Sequence, residues 1–248
     1  MQTAGDNEIS LNVSIDKKYF PQSSQAILSD IEFRVFEQEL AVITGPSGCG
    51  KTTLLNIIAD LDNEFTGHVS RPQNRSDNLP VSYVFQDPTL LPWQTIKQNI
   101  ALINPKLAAD DVALDKLLRS LGLREIKNKY PRKLSLGMAR RVALARAFAA
   151  QAPLLLMDEP FVSLDELTAT TLRNLLLNQL HLRKMMGLFV THNLREALFL
   201  ADRLIIIGGS PTSLIENIEF KKNTRGRPRE QVEELRKQLI NEYSWVLG

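Results

Sequence analysis

The chain has 248 residues, of which 44% are hydrophobic and 23% are charged, and its formal net charge is +2. This composition fits a globular protein with one large α/β domain, or with one core and a helical insertion. The near-neutral charge gives no nucleic-acid footprint over the whole protein. The single cysteine, Cys49, excludes an intramolecular disulfide. No apolar run approaches the roughly 18 residues that a membrane-spanning helix needs.

The N-terminal part of the chain is predicted to form strands. Residues 8–15 and 31–36 alternate apolar and polar side chains, which is typical of a strand with one wet face. Residues 40–44 form a continuous apolar run and predict a buried strand, and residues 53–59 predict a helix. Residues 70–80 are polar and contain two prolines, so they predict a loop. A short strand over residues 81–85 is expected to end at Gln86.

Between the buried strand and the helix lies a glycine-rich segment with the pattern G-x-x-x-x-G-K-[ST], typical of the phosphate-binding loop of nucleoside triphosphatases. Glycines let backbone N–H groups curl around an anion, and the following helix contributes its positive N-terminus. Lys51 is expected to reach the β- and γ-phosphates of ATP, and the Thr52 hydroxyl is expected to bind Mg²⁺. The predicted nucleotide-binding residues here are Gly45, Pro46, Ser47, Gly48, Cys49, Gly50, Lys51, Thr52 and Thr53.

The second half of the chain alternates helices and strands. Leucines at three- and four-residue spacing predict a helix that ends at Gly122, and a further helix is expected to begin near Ser135. Residues 154–157, 188–190 and 204–207 predict strands, and a long helix is expected over about 166–185. Strands that alternate with helices imply a parallel sheet covered on both faces.

The C-terminal tail carries a basic cluster, followed over residues 230–247 by the pattern of a short amphipathic helix. A solvated tail is the favoured interpretation, and contact with lipid headgroups or a partner is the alternative. The cluster consists of Lys221, Lys222, Arg225, Arg227 and Arg229.

Two adjacent carboxylates, Asp158 and Glu159, end the apolar run that begins at residue 154. Two acids at the end of a buried strand are costly to place, which favours a functional role. Asp158 is expected to hold Mg²⁺ opposite Thr52, directly or through water. Glu159 is expected to orient and deprotonate the attacking water. About 100 residues after a phosphate loop, this pair predicts a nucleoside triphosphatase.

Residues 134–147, with the sequence LSLGMARRVALARA, resemble the signature segment of the ATP-binding subunits of ABC transporters, usually written LSGGQ. The resemblance runs from about residue 8 to 230. It implies a P-loop α/β fold with a mainly parallel core sheet, an N-terminal antiparallel β part and a helical subdomain at about 87–150. Residues 231–248 would form an amphipathic tail.

The resemblance also implies roles for single residues in ATP hydrolysis. Ser135 and Gly137 would bind the γ-phosphate held by a second subunit in a head-to-tail dimer. Gln86 would sense the γ-phosphate and Mg²⁺ and contact the membrane subunit, and His192 would be the switch histidine. Residues 163–165 correspond to the loop that crosses the dimer interface. Either Tyr19 or Phe20 would stack on adenine, with Tyr19 favoured.

Several positions depart from the family pattern. Leu136 replaces a signature glycine, and its side chain is expected to crowd the γ-phosphate or to deny the backbone a positive φ. Arg140 stands where glutamine is common, Asn193 where aspartate is common, and Gln38 where glycine is common. We expect hydrolysis to persist, at a reduced rate, because Glu159 and His192 are present. A regulatory subunit that does not hydrolyse ATP is the alternative.

The run Leu-Leu-Pro-Trp at residues 90–93 and the Arg-Pro-Arg at residues 227–229 resemble bacterial importers of nitrate, sulfonates, taurine or thiamine precursors. This resemblance implies membrane-embedded permease partners, an indirect solute-binding protein, no nucleic-acid partner and a place on the cytoplasmic face of the cell membrane. It implies a homodimer, with a heterodimer as the alternative. Leu91 and Trp93 are candidates for permease contact, with burial in the core as the competing role. Other open functions are an ATPase for lipids or another solute, and a soluble ABC ATPase outside transport.

Overall fold

The computed structural model describes residues 10–21, 23–72, 80–220 and 225–247. The strands are β1 Ser10–Tyr19, β2 Ala26–Phe36, β3 Leu40–Thr44, β4 Phe65–Ser70, β5 Val81–Val84, β6 Leu154–Asp158, β7 Met186–Val190, β8 Arg203–Gly208 and β9 Ser213–Glu219. The helices are α1 Lys51–Ile58, α2 Ile96–Ala101, α3 Pro105–Ala109, α4 Asp111–Ser120, α5 Leu136–Ala149, α6 Glu166–Arg183, α7 Leu194–Leu200, α8 Arg229–Glu242 and α9 Ser244–Leu247. Short 3₁₀ turns lie at Arg124–Ile126 and Pro131–Lys133.

Two sheets organise the fold. The larger sheet has the order β5-β6-β7-β3-β8-β9, and all neighbouring pairs are parallel except β8 and β9. The smaller sheet has the order β2-β1-β4 and is antiparallel. This arrangement confirms the expected P-loop fold with a mainly parallel core and an N-terminal antiparallel part.

The core sheet is covered on both faces, as its continuous apolar strands predict. Alternate residues of each strand face opposite ways, so that Leu40 and Val42 pack in one cluster and Ala41 and Ile43 in the other. One cluster joins the sheet to helices α4 to α8, and the other joins it to α1 and the antiparallel sheet. The two layers hold the carboxyl ends of the parallel strands at one edge of the domain.

Most predicted elements are confirmed, with shifted ends. The strand expected over residues 31–36 begins earlier, at Ala26, and the long helix ends at Arg183. The helix expected to end at Gly122 does so, since Gly122 takes φ 68° after α4. Of the expected loop at 70–80, residues 73–79 lie outside the described residues.

The tail differs from its prediction in two ways. The single amphipathic helix expected over residues 230–247 is two helices, α8 and α9, which meet at Tyr243. The favoured solvated tail is wrong for Arg227, which is 4% exposed and donates through Nη1 to the carbonyls of Leu198 and Ala201. Arg225 pairs with Asp202 at 3.0 Å. These bonds fix the tail to the C-terminal end of α7; Lys221 and Lys222 lie outside the described residues.

No helix in the described ranges combines the length and apolar character needed to cross a bilayer.

Candidate active site

The glycine-rich loop connects β3 to α1, as predicted. Gly48 and Gly50 take φ 78° and φ 97°, conformations that a side chain would strain. The Lys51 ammonium donates to the carbonyl oxygens of Gly45 at 2.9 Å and Pro46 at 2.7 Å. The loop carbonyls therefore hold the ammonium of Lys51, the residue at which α1 begins.

The remaining loop residues are exposed or half-buried. Pro46 and Ser47 are exposed, and Cys49 and Thr53 are half-buried. Burial raises the pKa of the Cys49 thiol, an effect that exceeds the opposing influence of the Lys51 charge. The thiol is thus held as a neutral group inside the loop.

Thr52 and Asp158 meet at the start of α1. The Thr52 hydroxyl donates to Oδ2 of Asp158 at 2.8 Å, and Asp158 is buried as the last residue of β6. Burial raises the pKa of Asp158, while the Thr52 hydrogen bond lowers it and the charge of Glu159 raises it further. A hydroxyl and a carboxylate side by side form the hard oxygen donor set that Mg²⁺ prefers, so these residues fit that ion.

Glu159 lies in the turn that follows β6. Its backbone takes φ 43°, an unfavourable conformation for a residue with a side chain, and its N–H donates to the Val190 carbonyl at 3.0 Å. This bond ties the turn to the end of the neighbouring strand β7. Oε1 of Glu159 lies 3.0 Å from Nδ1 of His192, which follows β7. The two predicted catalytic side chains are therefore in direct contact.

The loop that carries His192 is fixed by its neighbours. The Thr191 hydroxyl donates to Oε2 of Glu196 at 2.7 Å and accepts the Asn193 N–H at 3.0 Å. The Asn193 side chain in turn caps α7 through the N–H groups of Arg195 and Glu196. An asparagine at this position thus serves as a helix cap as an aspartate would.

Behind Glu159 and His192 lies a cavity of about 170 Å³ whose wall includes Ser163, Arg173 and Glu196. Burial raises the pKa of Glu196, and the Thr191 hydrogen bond and the Arg173 charge oppose that rise. Glu196 was not among the sequence-predicted site residues. A carboxylate on the buried face of a short helix, four residues after the switch histidine, is the signal that would have found it.

The signature segment begins α5. Ser135 is its N-cap and accepts the Met138 N–H at 3.3 Å, as expected. Leu136 is the first helical residue and is 45% exposed. The expectation that this position needs a positive φ is wrong, because Leu136 has helical backbone. Gly137 fits tightly, since a Cβ there would lie 2.8 Å from Cγ2 of Thr168 on α6.

The other predicted residues lie around this centre. Gln86 is exposed and lies two residues after the end of β5, the strand next to β6. Asp165 caps α6 by accepting the Thr168 N–H at 2.9 Å, and Ser163 takes φ 61°. Tyr19 and Phe20 are both exposed at the end of β1, so the structure leaves both as candidates for adenine stacking.

Comparison with known proteins finds matches to ATP-binding proteins over most of the chain. Residues 28–162 match the family described as ABC transporter. An aliphatic sulfonates import ATP-binding protein, SsuB 2 of Burkholderia cenocepacia, is 37% identical over 92% of this chain and 84% of its own length. An SsuB of Bacillus cereus is 34% identical over 95% of this chain and 97% of its own length.

Two solved structures share the fold. One is cbiO1 from Clostridium perfringens, described as part of the ABC transporter complex cbiONQ, with TM-score 0.74 and 21% identity over 96% of this chain and 97% of its own. The other is the ATP-binding cassette MJ0796, a dimeric post-hydrolysis structure bound to ADP and Pi, with TM-score 0.70 and 26% identity over 85% of this chain and 99% of its own. The family match, the relatives and the site geometry show that this chain belongs to the ABC transporter family and is the ATPase subunit of an ABC importer.

Proposed function

We propose that the chain hydrolyses ATP at the edge of the core sheet to drive uptake of a small organic anion of the sulfonate class through a separate permease. The observation that carries this proposal is the contact of Glu159 with His192 beside the Thr52–Asp158 pair and the phosphate loop. The sulfonate assignment rests on the relatives, whose names specify aliphatic sulfonate import. Nitrate and thiamine-precursor transport are the alternatives, and taurine, itself a sulfonate, falls within the proposed class.

The phosphate groups of ATP would bind at residues 45–53, with Lys51 leaving its loop carbonyls to reach the β- and γ-phosphates. Thr52, Asp158 and Gln86 would hold Mg²⁺, which neutralises charge on the phosphates when bound. Glu159 would accept a proton from the attacking water, and His192 would orient that carboxylate and contact the γ-phosphate. Tyr19 would stack on the adenine ring.

Two copies would form a head-to-tail dimer in which Ser135 and Gly137 of one copy contact the γ-phosphate bound by the other. The positive N-terminus of α5, capped by Ser135, suits this anion. The coupling to transport is differential binding, in which ATP favours the closed dimer and ADP the open one. Leu136 projects from the same turn and would lower the rate by crowding this phosphate.

We further propose that residues 8–230 form the nucleotide-binding domain and that its helical subdomain, about 87–150, receives the permease at the cytoplasmic face of the cell membrane. Trp93 is 67% exposed beside the Gln86 loop and is the better anchor, since Leu91 is half-buried. An exposed tryptophan is a common hot spot for binding. The solute-binding protein would act through the permease, without contact to this chain.

Affinity purification of the tagged full chain from detergent-solubilised membranes, followed by mass spectrometry, tests this function. A stoichiometric permease together with a solute-binding protein is the expected result, and the ligand of that binding protein identifies the transported solute. Ribosomal or DNA-repair partners without a permease would contradict transport and favour the soluble ABC ATPase.

A further inference from the structure

Arg140 is a buried cation in the helix that begins at the signature segment. It lies five residues after Ser135 in α5 and is 6% exposed. Its Nη1 donates to the carbonyl oxygen of Pro160 at 2.8 Å. Pro160 directly follows Glu159, so this bond joins the signature helix to the turn that carries the catalytic carboxylate.

That turn is held from two sides. On one side, the Glu159 N–H donates to Val190 at the end of β7, and the Val162 N–H returns to the Glu159 carbonyl at 3.2 Å. On the other side, Arg140 holds the Pro160 carbonyl. Since Glu159 has φ 43°, its conformation depends on such external bonds. A shift of α5 would therefore change the direction of the Glu159 side chain.

The energetic penalty of burying Arg140 argues that its role is positional. Burial lowers the pKa of Arg140, and the negative charges of Asp87 and Glu196 oppose that effect. Asp87 is next to Gln86 in the sequence, and Glu196 lies in α7. Its Nε atom is buried and has no hydrogen-bond partner among the described residues. A buried guanidinium that leaves one N–H unpaired stabilises a fold poorly, compared with a neutral side chain of similar volume.

We propose that Arg140 is a positioning residue that couples the two nucleotide sites of the dimer. The inference rests on the proposed head-to-tail arrangement. In that arrangement Ser135 and Gly137 contact ATP bound by the partner, whereas Glu159 acts on ATP bound by this chain. Ser135 caps the helix α5 that carries Gly137 and Arg140, so occupation of the partner's site is transmitted to the catalytic turn of the other site. ATP binding at either site then affects hydrolysis at the other site.

The test measures ATP hydrolysis by the full chain against ATP concentration. We expect the unaltered protein to hydrolyse cooperatively, with a Hill coefficient of about 2, the number of sites. Arg140→Met keeps an unbranched apolar stem but removes the donor and the charge, and it should lower the Hill coefficient to about 1 and kcat by about tenfold. Its affinity for ADP should stay within about twofold, because the hydrogen bond of Arg140 is to Pro160 rather than to the chain's own phosphate loop. Arg140→Lys retains a donor and should restore cooperativity.

Arg183→Gln is the matched control. Arg183 is a half-buried arginine that also donates to a backbone carbonyl, that of Phe148, at the far end of α5. The control variant should keep the cooperativity of the unaltered protein. If circular dichroism shows that Arg140→Met does not fold, Arg140→Leu, which also lacks a donor, replaces it with the same expected result. Cooperativity that survives in Arg140→Met, or that is absent from the unaltered protein, overturns the coupling role. Absence of any Glu159-dependent hydrolysis would instead refute the proposed function.

Discussion

Oε1 of Glu159 and Nδ1 of His192 lie 3.0 Å apart, although the two residues follow different strands and are 33 positions apart in the sequence. The contact exists because β6 and β7 are hydrogen-bonded neighbours that end in register, with Asp158 opposite Val190. The imidazole thereby holds the carboxylate in one orientation. A carboxylate oriented in this way is prepared to accept a proton from water.

Replacing the carboxylate should therefore remove the base without altering the fold. We expect Glu159→Gln to slow ATP hydrolysis by about 10²–10⁴ and to trap the closed dimer in the presence of ATP. Steady-state phosphate release and size-exclusion chromatography with ATP measure the two effects. A Glu159→Gln protein that turns over normally would refute the catalytic role of Glu159.

Lys51 is expected to be essential for nucleotide binding. Lys51→Ala removes the ammonium that lies at the centre of the phosphate loop and should lower ATP affinity by at least about tenfold. Isothermal titration with ATP checks this result. Lys97→Ala is the control, since Lys97 pairs with Asp111 on the surface of the helical subdomain. Equal losses in the two variants would contradict a specific role for Lys51.

Gln38 occupies a turn that favours glycine. Its φ is 63°, in the left-handed region, where a side chain costs about 1 kcal/mol. We expect Gln38→Gly to raise the free energy of unfolding by roughly 0.5–1 kcal/mol, as measured by urea denaturation. Gln231→Gly, in the exposed part of α8, should have the opposite sign and cost about 1 kcal/mol. Destabilisation by both substitutions would show that the backbone of Gln38 is not strained.

Glu196 should make stability depend on pH. Burial raises its pKa above the ordinary value of 4.5, so the folded protein binds this proton more tightly than the unfolded chain. The resulting stabilisation is complete below 4.5 and is lost as the pH rises through the raised pKa.

Glutamine at this position remains neutral and can still accept the Thr191 hydrogen bond. The difference in Tm between Glu196→Gln and the unaltered protein should therefore become more positive from about pH 5 to about pH 8. Glu230→Gln, at an exposed site on α8, tests for a general effect of removing one carboxylate. A difference that becomes more negative with rising pH would disprove the assigned cause.

Trp93 is expected to anchor the permease. Trp93→Ala should leave ATP hydrolysis by the isolated chain unchanged and lower recovery of the permease in affinity purification by about tenfold or more. Trp245, also exposed but on the short C-terminal helix α9, is the control for loss of a surface tryptophan. Full recovery of the permease with Trp93→Ala would show that the permease does not depend on Trp93 for binding.

The positions of the phosphate loop and of the acid pair could be predicted from the sequence, because each lies next to a strand with a continuous apolar run. Asp158 is the last residue of β6, Glu159 comes directly after it, and the phosphate loop follows β3. The contacts of Arg140 and Arg227 could not be predicted, since an arginine is expected to be exposed to solvent unless tertiary packing covers it. Strands β4 and β9 were missed because both are only partly buried and lack clear alternation.

The strand order has a consequence for which parts of the site can move. The phosphate loop follows β3, Asp158 ends β6 and His192 follows β7. Each of these three strands is paired on both sides. Gln86 follows β5, which among the described strands is the outermost at that side of the sheet and pairs with β6 alone. The residues expected to carry out hydrolysis are thus attached to interior strands, whereas Gln86, the residue expected to sense the membrane partner, is attached to an edge strand. A membrane partner that pulls on the Gln86 loop can therefore displace the edge strand while the residues that follow the interior strands stay aligned.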